Sequence, residues 1–273
     1  MKKVLVLALL ICICMPAAAW GETNIFLDTA FITLEKGNPI LDAYNTYNGG
    51  NVEARFEYGL PYLFGGRKES LWLSVRRPDQ ESNYYKKNKK YLHGLDCSGY
   101  VRWVYEKVGL ERPVPASSMK SKANQKHLVD MEGIAYSKWH EKLQIGDLIT
   151  LSSSSYHIMM YIGTLSSFGY TEETVSSELK PYLDYPLAIH SGMNNFHTQW
   201  YTKYIQDNNL KCTPPDGGVT ISLVGVAFDE APFHQTMWEN TSNEKTFHYF
   251  DLDGYNLTCY DLEKYRWWVV YRQ

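Results

Sequence analysis

The sequence lacks the cationic excess of a dedicated nucleic-acid binder. Over 273 residues, 27 Lys and Arg stand against 30 Asp and Glu, a net charge of −3, whereas such domains are normally basic overall. It has no apolar run long enough to span a bilayer comfortably, the one at its start included. It has no Cys-x-x-Cys and no His-Glu-x-x-His, so a closed zinc site has no ligands at the right spacing, and no metal or cofactor is expected. There is no Gly-x-Ser-x-Gly of a serine hydrolase, and Gly65-Gly66-Arg67-Lys68 does not have the spacing of a phosphate loop. Internal repeats and low-complexity tracts are missing too, which excludes a solenoid or a stalk. What remains, with 44% apolar and 21% charged residues, is the composition of a globular protein with one substantial core.

Cysteine is scarce, and two of the five cysteines fall in a segment read as removable. Lys2 and Lys3 precede an apolar run from Val4 to Met15, followed by Pro16 and Ala17 to Ala19. This is the order of a secretory signal, with cleavage expected after Ala19. Its loss leaves 25 basic against 30 acidic residues, a net of −5, and no stable membrane insertion is expected of the exported product. Cys97, Cys212 and Cys259 then sit in an oxidising compartment, where an odd count suggests one bridge and one free thiol. Cys212 and Cys259 are the natural pair, closing a loop rich in turn signals; two unlinked buried thiols fit the sequence as well.

Aromatics are plentiful at 15%, with 22 Tyr and 8 Trp. They suit a surface that handles glycans or peptides, and equally suit strands and cores. Residues 20–60 read as an N-terminal extension packed on the domain that begins at residue 61. Residues 67–93 carry eight Lys and Arg against three acids. The favoured reading is a solvated face, and the alternative is a surface for an anionic polymer.

From Cys97 to Gly109 the apolar residues Val101, Val104 and Val108, with Tyr100 and Trp103, follow helical spacing. Asp96 is placed to cap the helix and Gly109 to stop it. Ile145 to Leu151, Tyr156 to Gly163, Pro186 to His190, Val219 to Phe228 and Tyr265 to Tyr271 read as strands. A helix followed by strands predicts an α+β fold with an antiparallel sheet.

Cys97 is therefore expected in the first turn of a helix, where unpaired N–H groups and the helix dipole lower a thiol pKa and favour the nucleophilic thiolate. Gly99 would let another backbone approach. Of eight histidines, His157 and His190 stand out on predicted strands. Either one alone is more often a hydrogen-bonded core residue. Two of them with a helix-start cysteine point to a nucleophile, base and orienter. His93, His127, His140, His197, His234 and His248 lie among polar residues and read as surface or structural.

Pro61-Tyr62-Leu63-Phe64-Gly65-Gly66, Asp96-Cys97-Ser98-Gly99-Tyr100-Val101, Gly146-Asp147-Leu148-Ile149, His157 to Gly163 and Ala188-Ile189-His190-Ser191 resemble, in order, the motifs of NlpC-type bacterial cell-wall cysteine peptidases. The resemblance covers about residues 61–190. It implies a papain-like fold, with the nucleophile helix packed on a central antiparallel β-sheet, and a catalytic set of Cys97, His157 and His190. Tyr62, Asp96 and Ser98 would serve substrate binding or the oxyanion. The catalytic domain would run over 61–273, with insertions around the cleft near 67–93, 164–186 and 191–264. The implied partner is a peptidoglycan stem peptide, cut at the bond from γ-D-glutamyl to a diamino acid. The protein would reside in a periplasm or outside the cell, with a monomer as the default. A non-catalytic wall-binding protein on the same fold, and an amidase or acyltransferase using the same three residues, are the alternative readings.

Overall fold

A computed structural model describes residues 60–67, 73–75, 86–92, 94–153, 155–193, 195–207, 209–227, 234–240, 243–252 and 255–273. The expected signal at 1–19 and nearly all of the extension at 20–60 lie outside the described residues, as does His93.

Two short strands, β1 (Leu73–Val75) and β2 (Lys90–Leu92), pair antiparallel ahead of helix α1 (Cys97–Lys107). After α1 come several single 3-10 turns and the two-residue strand β3 (Leu128–Val129). The chain then enters β4 (Leu148–Ser152), β5 (Tyr156–Gly163) and β6 (Leu187–Met193). Helix α2 (Asn195–Asp207) comes next, then β7 (Gly217–Val224), β8 (His234–Asn240), β9 (Asn243–Leu252), β10 (Tyr255–Tyr260) and β11 (Trp267–Tyr271). Nine of these strands form one sheet in the order β3-β11-β4-β5-β6-β7-β10-β9-β8.

The expected antiparallel sheet needs one correction: β10 runs parallel to β7, with Thr258 opposite Ser222. After β7 the chain crosses to the far edge and returns through the antiparallel strands β8 and β9, so β10 arrives pointing the same way as β7. Within 191–264, expected as an insertion around the cleft, the chain thus builds α2 and four strands. Cys212 and Cys259 are free thiols in this structure, so of the two readings the sequence left open it shows the unlinked pair.

The sheet is buried on both faces. Along β5, Ile158, Met160 and Ile162 enter the core that α1 covers, while Met159 and Tyr161 enter a second core with Trp139, Ile149 and Leu151. A strand buried twice reads as a continuous apolar run, which is why β4, β5 and β6 are conspicuous in the sequence. Helix α1 buries Tyr100, Val101, Trp103, Val104 and Tyr105 against the sheet; each large apolar side chain removed from water contributes about 1.5–3 kcal/mol. Arg102 and Glu106 pair on its open face. Gly109, at φ +78°, ends it in the left-handed conformation. Lys86, Lys87, Lys89 and Lys90 are exposed, which suits a solvated face and a surface for an anionic polymer alike. Among the described residues no helix is long and apolar enough to cross a membrane.

Candidate active site

The start of α1 is held by close backbone contacts. Leu95 N–H donates to the Pro61 carbonyl and Asp96 N–H to the Gly66 carbonyl, while Tyr62 N–H donates to the Gly217 carbonyl on β7. A Cβ on Gly99 would lie 2.1 Å from the Gly66 carbonyl oxygen, and one on Gly66 would lie 2.1 Å from that of Gly94. Glycine is required at both places because backbone meets backbone, as the sequence suggested for Gly99. The Asp96 side chain caps the helix, accepting from Gly99 N–H at 2.6 Å, from Gly65 N–H at 3.1 Å and from the Ser98 hydroxyl at 2.8 Å. Arg67 donates to Ser98 and stands 3.5 Å from the Asp96 carboxylate. Asp96 and Ser98 are thus engaged with each other, with Arg67 and with the helix start.

Cys97 opens the helix, half-buried, with its sulfur facing the backbone N–H groups of Ile158 and Ser98. Ile158 directly follows His157 on β5. His157 Nε2 lies 3.1 Å from His190 Nδ1 on β6, and the two rings meet edge to face. His190 is 1% exposed. Its Nε2 lies 2.7 Å from the Ser222 hydroxyl on β7. Ser222 in turn lies 2.5 Å from the Thr258 hydroxyl on β10, which donates to the Ile221 carbonyl at 3.1 Å. A Cβ on Gly192 would press on both imidazoles at 3.0–3.4 Å, so this glycine leaves room for the pair.

Tyr260 completes the cluster from β10. Its ring stacks on His157 at 5.4 Å and meets His190 edge-on at 5.1 Å, and its hydroxyl lies 3.3 Å from His157 Nε2. Burial holds the Tyr260 phenol well above its ordinary pKa, and Tyr265, Cys97 and Tyr62 add to that electrostatically. Tyr62 and Cys97 therefore belong to the same neighbourhood. Tyr62 also lines a small hollow with Phe64, Tyr91, Pro214, Pro215 and Asp216.

The electrostatics correct one expectation. Burial pushes the Cys97 thiol up to about 11, and the negative charge of Asp96 adds to it; the N–H groups of Ile158 and Ser98 pull the other way and do not prevail. Loss of water around the sulfur outweighs the helix start. Burial also draws His157 down to about 4. Among the described residues no cluster of three or more His, Cys, Asp or Glu could hold a metal ion. His127 bonds the Arg272 carbonyl and stacks on Tyr271, and His140 is exposed.

A family model described as NlpC/P60 matches residues 59–208. The chain belongs to the NlpC/P60 family. No curated protein and no solved structure matches it. Members of the NlpC/P60 family are generally cysteine peptidases, associated with the cell wall. The matched segment carries Tyr62, Asp96, Cys97, Ser98, His157 and His190. Ser222, Thr258 and Tyr260 lie beyond it, and sequence reasoning did not find them. The signal available was the alternation in β10, where Thr258 and Tyr260 share one face while Leu257 and Cys259 point the other way.

Proposed function

We propose that the protein is an exported cysteine peptidase that hydrolyses an amide bond in peptidoglycan stem peptides, the bond from γ-D-glutamyl to a diamino acid. The observation that carries this reading is the 3.1 Å contact between His157 and His190, beside a helix-start cysteine, in a chain of the NlpC/P60 family. Export rests on the order of charged, apolar and small residues at 1–19.

In the proposed reaction His157 takes the Cys97 thiol proton as the sulfur attacks the amide carbonyl. A bond forms between sulfur and carbon, and the tetrahedral intermediate collapses by breaking carbon–nitrogen, with His157 returning its proton to the departing amine. Water then adds to the thioester, His157 accepting its proton, and the sulfur leaves and is reprotonated. His190 holds the His157 ring. The backbone N–H of Cys97 and the Tyr62 hydroxyl face the developing oxyanion, each such donor being worth on the order of a hundredfold or more in rate.

The burial that raises the thiol pKa favours the second reading, a non-catalytic wall-binding protein. Digestion of purified sacculi, with mass analysis of the released muropeptides, separates the two. The expected products are fragments with a new D-glutamate carboxyl end and a freed diamino acid amine, formed by the wild-type protein and lost on Cys97→Ala. Intact muropeptides after wild-type treatment would leave the binding reading, and a different cleaved bond would point to the amidase alternative.

A further inference from the structure

Four side chains on neighbouring strands form a chain of contacts from His157 through His190 and Ser222 to Thr258, ending on the Ile221 carbonyl. We propose that Ser222 and Thr258 fix the tautomers of both histidines, and that Thr258 is a positioning residue for the reaction. The inference rests on His157 being the base.

The direction comes from counting protons. A carbonyl oxygen only accepts, so at 3.1 Å the Thr258 hydroxyl donates to Ile221. The 2.5 Å contact between Thr258 and Ser222 needs a proton between two oxygens, and Thr258 has already used its own. Ser222 supplies it. With its proton turned away, the Ser222 oxygen can only accept from His190, whose Nε2 at 2.7 Å must carry hydrogen. A neutral imidazole has one N–H, so His190 Nδ1 is bare and accepts from His157 Nε2 at 3.1 Å. His157 then keeps Nδ1 free to take a proton from sulfur. The reverse arrangement sets the lone pairs of Thr258 and Ile221 against each other in a buried site, where a hydrogen bond left unmade is costly. Tyr260, 3.3 Å from His157 Nε2, takes a second share of that same N–H.

Replacing Thr258 by valine removes both the donor to Ile221 and the acceptor for Ser222. The serine proton then turns to His190 Nε2, His190 carries hydrogen on Nδ1, and His157 is left with its N–H on the wrong nitrogen. A wrong tautomer of a catalytic histidine costs up to about ten-thousandfold in kcat elsewhere; the inversion here should cost at least about tenfold.

Imidazole ¹H–¹⁵N correlation spectra of the full chain at pH 7, in the wild type and in Cys97→Ala, test this directly. Both should show His190 and His157 protonated on Nε2, with Nδ1 bare. Thr258→Val should invert both patterns and lower kcat at unchanged KM, and Thr258→Ser should restore the wild-type tautomers. His190 protonated on Nδ1 in the wild type overturns the proposal, as does a folded Thr258→Val with unaltered tautomers. If Thr258→Val does not fold, the wild-type spectrum decides alone. Correct tautomers in a protein that leaves sacculi intact would sink the peptidase reading and leave only the tautomer assignment standing.

Discussion

At the scale of single residues, burial sets the Cys97 thiol at about 11 and the His157 imidazole at about 4, so between these values sulfur keeps its proton and the ring is neutral. Below the lower value His157 is already protonated and cannot accept from sulfur. Above the upper one the pair has no proton left for the leaving amine. Turnover should therefore rise as pH climbs through about 4 and fall near 11. Burial of both groups keeps the proton on sulfur in the resting protein, because neutral forms lose less on leaving water. Inactivation by iodoacetamide should then quicken about tenfold per pH unit through the neutral range, following the small thiolate fraction. A rate already level from pH 5 upward would mean a resting ion pair. Cys97 and His157 stood out in the sequence because each follows a recognisable break, a helix cap or a strand start, and His190 because it lies among the apolar residues of a strand. The direction of the thiol shift was not, because burial around the sulfur is a property of packing and not of the helix start alone.

Among the elements, α1, β4, β5, β6 and β11 were legible because their apolar residues follow a clear period or run without interruption between turns. Strands β8 and β9 were not. His234 to Asn240 and Asn243 to Leu252 are rich in Asn, Thr, Glu and His, and only pairing at the edge of an existing sheet makes strands of them. Helix α2 escaped for a similar reason: its buried Tyr201 and Ile205 join the core of α1, but polar residues dominate its sequence. The Gly146-Asp147-Leu148 motif carried family information whose physical role emerges only in three dimensions. Asp147 is 3% exposed. It accepts from Gln144 N–H at 2.8 Å and takes two bonds from Arg272, at 2.8 and 2.6 Å. The carboxylate thereby ties the entrance of β4 to the residue just after β11. Arg272 reaches solvent, so Asp147→Ala should cost less than a fully buried pair, about 1–3 kcal/mol. That corresponds to a melting temperature lower by about 2–10 °C for a chain of this size. Thermal unfolding followed by circular dichroism checks it, and an unmoved midpoint would reduce the tie to a surface ion pair.

On the scale of the whole molecule, the family match and the folded unit do not coincide. The match ends at residue 208, yet β7 and β11 flank the strands that carry the site, and β10 supplies Thr258 and Tyr260. Without residues 209–273, β6 would become an edge strand, although Ala188, Ile189, His190 and Ser191 along it are buried, and β4 would lose β11 along five residue pairs from Leu148 to Ser152. Val219, Leu223, Val224, Leu257 and Val270 are each no more than 1% exposed. At about 1.5–3 kcal/mol apiece, their loss alone removes as much as the whole net stability of a typical domain, about 5–15 kcal/mol. A chain ended at residue 208 should therefore show no cooperative thermal transition and should bind a hydrophobic dye, while the full chain melts in one step. A truncated protein that melts cooperatively would make residues 209–273 an appendage. His190 would then need an acceptor for its Nε2 other than Ser222.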